Sequence, residues 1–124
     1  MANSDIRLAL WSGVNFTGRR ILFRRGGVAV RDLGAFRFNN ALTSFRLSNV
    51  VQSSQVTLVL FAGINFQGSF RVFRGSQNVS NLGRFNFNNV TSSFILVGRN
   101  LTNSEIAQIQ RTGNPPRDVL TIRQ

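Results

Sequence analysis

The 124-residue chain has no cysteine, no histidine and no tyrosine, and its 15 basic side chains are all arginine. Without cysteine there is no disulfide, no thiol nucleophile and little material for a soft-metal site. Without histidine the usual general base and the commonest zinc ligand are missing. Acidic residues are scarce: Asp5, Asp32, Glu105 and Asp118 are all there are. Three of them lie outside the repeated part described below, so no paired-carboxylate site is evident. These absences leave little from which to build an enzyme. No apolar run approaches the length needed to cross a bilayer. The start, MANSDIRLAL, lacks the basic residues and long apolar stretch of a secretory signal, so the expected location is intracellular, or outside after release without a classical signal. The length and 42% hydrophobic content suit one globular domain with a tail.

What is present is a tandem repeat. WSGVNFTGRRILF at Trp11 to Phe23 returns as FAGINFQGSFRVF at Phe61 to Phe73, and LGAFRFNNALTSFRL at Leu33 to Leu47 returns as LGRFNFNNVTSSFIL at Leu82 to Leu96. Repetition at this length fixes architecture before any single residue does. Each copy opens on an alternating run, Ile6, Leu8 and Leu10 or Val56, Leu58 and Leu60, which is the period of a half-buried strand. Glycines at matched offsets, Gly13 with Gly18 and Gly63 with Gly68, predict tight hairpins with positive φ. A Leu-Gly turn, an aromatic pair, an Asn-Asn step and a last strand complete each copy. Four short strands per copy predict a Greek key. Each copy is too small to bury a core alone, so the two together form one all-β sandwich. Most of the twelve phenylalanines recur at matched sites (Phe16/Phe66, Phe23/Phe73, Phe36/Phe85, Phe38/Phe87, Phe45/Phe94), which predicts core.

The motif of Trp11, Phe16 and Gly18, repeated as Phe61, Phe66 and Gly68, precedes Asn39-Asn40-x-x-Thr43-Ser44 and Asn88-Asn89-x-x-Ser92-Ser93. Both halves, in order and twice, resemble the βγ-crystallin motif in its microbial calcium-binding form. The resemblance implies a two-Greek-key βγ-crystallin-like sandwich over residues 1–98, with motif one about 6–49 and motif two about 56–98, and a C-terminal extension over 99–124. It also implies two calcium sites, in which the Ser/Thr hydroxyl of one motif, an Asn/Asp of the other and loop carbonyls hold each ion. Mapped onto this chain, the ligands are Asn39, Asn40, Thr43, Asn88, Asn89 and Ser92, with Ser44 and Ser93 left for hydrogen bonding and packing. Calcium takes oxygen ligands of this kind. Here every Asx of the motif is Asn, and the net charge of +11 repels a divalent cation, so the expected affinity is low, on the order of 10⁻⁴ to 10⁻³ M. Asn-Asn ahead of a strand is also ordinary turn chemistry. The absence of tyrosine is a further departure from the family.

Arg19, Arg20, Arg24 and Arg25 bracket one strand and suggest an anion patch that would attract nucleic acid, an anionic lipid surface or an acidic partner. After Gly98 the composition changes. Thr102 to Ser104 offers N-caps, Gly113 a helix stop, Pro115 and Pro116 a break, and Asp118 to Ile122 a short strand. The tail has three readings: it packs on the outside of the sandwich, adds to a sheet edge of another copy in self-association, or frays. Three functions stand at this stage. The first is a non-enzymatic calcium-binding module acting on stability or assembly. The second is a structural or assembly protein that uses the basic surface and the tail and dispenses with calcium. The third and weakest is a basic anion-binding or toxin/inhibitor-like protein.

Overall fold

In the computed structural model, which describes residues 6–24, 27–36, 38, 42–49, 56–87, 90–98, 100–115 and 120–122, the first copy forms β1 (Ile6–Gly13), β2 (Thr17–Arg24), β3 (Gly27–Val30) and β4 (Ser44–Asn49). The second copy repeats them as β5 (Thr57–Phe61), β6 (Phe70–Arg74), β7 (Gln77–Val79) and β8 (Ser93–Val97). A 3₁₀ turn precedes the last strand of each copy, at Leu33–Phe36 and Leu82–Phe85. The third strands change places. Sheet one runs β2-β1-β4-β7 and sheet two β6-β5-β8-β3-β9, so each copy lends one strand to the other's sheet. That exchange is what makes two copies one domain.

Inward positions alternate with outward ones, as the period-two pattern requires. Leu8, Leu10, Phe45 and Leu47 of sheet one meet Val28, Val30, Leu58, Leu60, Phe94 and Leu96 of sheet two in a single core. Two edge-to-face aromatic pairs cross it as pseudo-two-fold mates: Phe23 with Phe94 at 5.2 Å and Phe45 with Phe73 at 4.9 Å. Not every repeated phenylalanine is core. Phe85 is 40% exposed, and Phe16 is half-buried where its mate Phe66 is fully covered. The glycine expectation also splits. Gly18 and Gly68 have φ of +85° and +84°, and the other left-handed residues of the hairpins are Asn15, Phe16, Asn65 and Phe66. Gly63 keeps a φ of −105° and is needed for space, because a Cβ there would sit 3.0 Å from the Gln67 carbonyl oxygen.

The tail is seated on its own chain. Helix α1 (Asn103–Thr112) starts in a capping box, with Glu105 N donating to Thr102 Oγ1 at 3.1 Å and Thr102 N to Glu105 Oε1 at 2.9 Å. It stops at Gly113, left-handed at φ 72°. Ile106 and Ile109, with Leu101, bury against Ala29, Val59, Phe61, Ile95 and Val97 on the outer face of sheet two. Polar bonds fix the ends of the helix: Arg74 Nη2 donates to the Leu101 carbonyl at 2.9 Å and Arg31 Nη1 to the Gly113 carbonyl at 2.8 Å. Strand β9 (Leu120–Ile122) then joins β3 in parallel, opposite Val28 to Val30. The repeat itself carries the reason. At outward positions copy one has Ala9, Arg46 and Ser48 where copy two has Val59, Ile95 and Val97, an apolar face that a sandwich complete at Gly98 would leave in water.

Candidate functional site

Of the ligands implied by the motif, Asn39, Asn40, Asn88 and Asn89 lie outside the described residues. Thr43 and Ser92 stand just before β4 and β8 and are buried, 4% and 6% exposed. Thr43 N donates to the Trp11 carbonyl at 2.9 Å, and its own carbonyl accepts from Leu82 N at 2.7 Å. Ser92 repeats this, donating to the Phe61 carbonyl at 2.8 Å and accepting from Leu33 N at 2.7 Å. Leu82 and Leu33 each open the 3₁₀ turn of the other motif. The Ser/Thr of one motif is thereby pinned beside the loop of the other.

Each loop is shaped by an Asx turn. Asp32 Oδ1 accepts from Gly34 N at 2.8 Å, and Asn81 Oδ1 accepts from Gly83 N at 2.8 Å. The hairpins complete the two clusters, since Asn15 N donates to the Ser80 carbonyl and Asn65 N to the Arg31 carbonyl, both at 2.8 Å. These hairpins are strained: Asn15 and Phe16 have φ of 55° and 60°, and Asn65 and Phe66 have 56° and 62°. A left-handed non-glycine residue costs on the order of 1 kcal/mol. The last serine of each motif offsets it. Ser44 Oγ donates to the Gly13 carbonyl at 2.6 Å and accepts from Phe16 N at 3.1 Å, while Ser93 Oγ donates to Gly63 at 2.6 Å and accepts from Phe66 N at 3.0 Å.

Sequence reasoning passed over Asp32. It is equivalent to Asn81, one residue before the Leu-Gly step in both copies, and that equivalence was the available signal. The two clusters therefore differ in charge: the one around Ser92 has a carboxylate and the one around Thr43 an amide. Among the described residues no group of three or more His, Cys, Asp or Glu gathers, so the donor chemistry is oxygen with one formal charge. They differ again at Thr91, whose buried Oγ1 has no hydrogen-bond partner among the described residues, where copy one has the apolar Leu42. Thr91→Val keeps the shape and removes the unmet hydroxyl. In EGTA it is expected to stabilise by about 1 kcal/mol, read as a melting midpoint about 4 °C higher. An unchanged or lower midpoint would mean the hydroxyl is satisfied in solution.

Of the four arginines suggested as an anion patch, Arg19 and Arg20 are described in full. Arg19 and Arg20 are neighbours on β2 and point to opposite faces. Arg19 lies over the Phe38 ring at 5.2 Å, while Arg20 faces outward opposite Trp11. The Arg24 side chain and all of Arg25 lie outside the described residues.

Two paired Greek keys that exchange their third strands, with Ser/Thr and Asx loops crossing between them, define the βγ-crystallin fold. Comparison with solved structures agrees. A domain from work on the evolution of the eye lens βγ-crystallin domain fold superimposes with a TM-score of 0.65 at 21% identity, covering 80% of this chain and 91% of its own. A βγ-crystallin from Ciona intestinalis gives 0.56 at 21% identity, covering 71% and 95%. A βγ-crystallin domain from Clostridium beijerinckii gives 0.57 at 17% identity, covering 74% and 98%. At these identities the likeness establishes the fold. No family model and no curated protein matches the chain. No helix among the described residues is long and apolar enough to cross a membrane.

Proposed function

We propose that the protein is a non-enzymatic, calcium-binding βγ-crystallin-fold module whose weak sites act on stability. The observation that supports this most is the pair of crossed hydrogen bonds, Leu82 N to the Thr43 carbonyl and Leu33 N to the Ser92 carbonyl. They hold each motif's Ser/Thr against the other motif's loop, the cross-donating arrangement that the motif implies. The donor set fits a hard cation: it is all oxygen, with hydroxyls from Thr43 and Ser92 and amides from Asn39, Asn40, Asn88 and Asn89. A buried hydroxyl without a partner among the described residues, Thr91 Oγ1, lies next to Ser92 in the same motif. When bound, calcium would supply charge that cross-links the motifs and no reaction chemistry. The residues themselves fix the loops, through the Asx turns and the Ser44 and Ser93 bridges.

Asp32 makes the two sites unequal, because calcium affinity rises with ligand charge. The site at Ser92 is the stronger in this reading. Calcium bound only by the native state raises stability by mass action, about 1.4 kcal/mol at ten times the dissociation constant. Thermal unfolding in EGTA and then in calcium up to millimolar levels, with magnesium as control, is expected to show a calcium-specific rise in midpoint. Ser92→Ala should remove more of that rise than Thr43→Ala, and Asp32→Asn should bring the two variants closer together. A midpoint that does not move at millimolar calcium would refute the calcium reading and leave the loops as turns.

A further inference from the structure

The outer face of sheet one is the pseudo-two-fold counterpart of the face that α1 covers, and no described helix lies on it. Strands β1, β2, β4 and β7 carry five arginines and no aspartate or glutamate. Core positions alternate with outward ones, so the outward set is Arg7, Ala9 and Trp11 on β1, Arg20 and Leu22 on β2, and Arg46 on β4. Arg7, Arg20, Leu22 and Arg46 are exposed. The chain's single tryptophan sits among them, half-buried, with Arg20 opposite. The Arg46 guanidinium lies 4.3 Å from the Phe16 ring centre and 5.7 Å from that of Trp11.

We propose that this face binds single-stranded nucleic acid. A run of phosphates laid along Arg7, Arg20 and Arg46 releases counterions. Exclusive use of arginine suits the role, because its planar fork pairs two ways with phosphate and stacks on flat rings. Trp11, Phe16 and the Arg46 plane offer the stacking surface that bases use without regard to sequence. Outward side chains stand about 4.8 Å apart between strands and about 6.6 Å apart along one, a lattice that an extended strand can follow. A lipid surface fits less well. Binding there draws on buried apolar area, and the large apolar side chains of this face are Leu22 at the edge with Trp11 and Phe16, both half-buried.

The test measures anisotropy of a labelled oligothymidylate and quenching of Trp11 across a salt series. Three phosphate contacts give a log-log salt slope of about −2, at about 0.7 per contact for single strands. Two charge-matched double variants separate this face from net charge: Arg20→Ser with Arg46→Ser, and Arg84→Ser with Arg111→Ser on exposed sites elsewhere. Loss of roughly tenfold or more in affinity at low salt, with a slope near −0.7, is expected for the first double only. Arg46→Lys, which keeps the charge and the fold, should weaken binding and Trp11 quenching while leaving the slope unchanged. Equal losses in both doubles, no binding at the lowest salt, or binding to anionic vesicles without binding to the oligonucleotide would each overturn the proposal.

Discussion

Ending the chain after Gly98 is expected to destabilise the sandwich by about 3–5 kcal/mol and to make it associate. Leu101, Ile106 and Ile109 leave the outer face of sheet two, and each buried aliphatic side chain is worth about 1.5–3 kcal/mol against exposure. The ordering entropy of ten helical residues and a short strand, no longer lost, offsets part of this. The newly bared surface, Val59, Phe61, Ile95 and Val97, is contiguous and apolar, and patches of that kind associate. The melting midpoint should fall by roughly 10–20 °C. Sedimentation should show a shift from the full chain to larger species. Ile106→Asp places a charge in the same seat and should reproduce the stability loss without shortening the chain. A truncated protein with the midpoint and size expected of the intact fold would show that the tail contributes nothing.

Phe94→Ala should cost about 3–5 kcal/mol, because Phe94 is fully buried between the sheets and its removal leaves a cavity among fixed strands. Denaturant midpoint at unchanged m-value measures it. Phe94 meets Phe23 edge to face at 75°, as Phe45 meets Phe73 at 73°. A double-mutant cycle with Phe94→Leu and Phe23→Leu should show a coupling of about 0.5–1.5 kcal/mol beyond the lost area. Because each pair joins strands of different copies, the coupling measures how far the repeats depend on one another. A loss below about 1.5 kcal/mol for Phe94→Ala would mean that the core collapses onto the vacancy.

The candidate site was legible only in part. Thr43 and Ser92 stand out because they follow an Asn-Asn step twice at matched positions. Asp32 does not, since its place beside Ser92 comes from a hydrogen bond spanning residues 33 and 92 that no local pattern records. The spacing of the arginines also left out which way each one faces: adjacent residues of a strand face opposite ways, and Arg19 and Arg20 are adjacent.

By itself the sequence determined whatever has a short period. Repetition specified two copies, alternation specified the strands, and Thr102, Glu105 and Gly113 marked both ends of α1 by local capping chemistry. Zero cysteine and zero histidine excluded whole classes of chemistry. Tertiary structure decided what depends on pairing across the chain. Period two says that a strand has two faces, but not which sheet it joins, so the exchange of β3 and β7 became visible only once the core closed. The same limit hid the tail. Val59, Ile95 and Val97 are unremarkable as strand residues, and they call for a cover only when their side of sheet two proves to face away from the core. On sheet one the same positions carry Ala9, Arg46 and Ser48, and no described helix covers them.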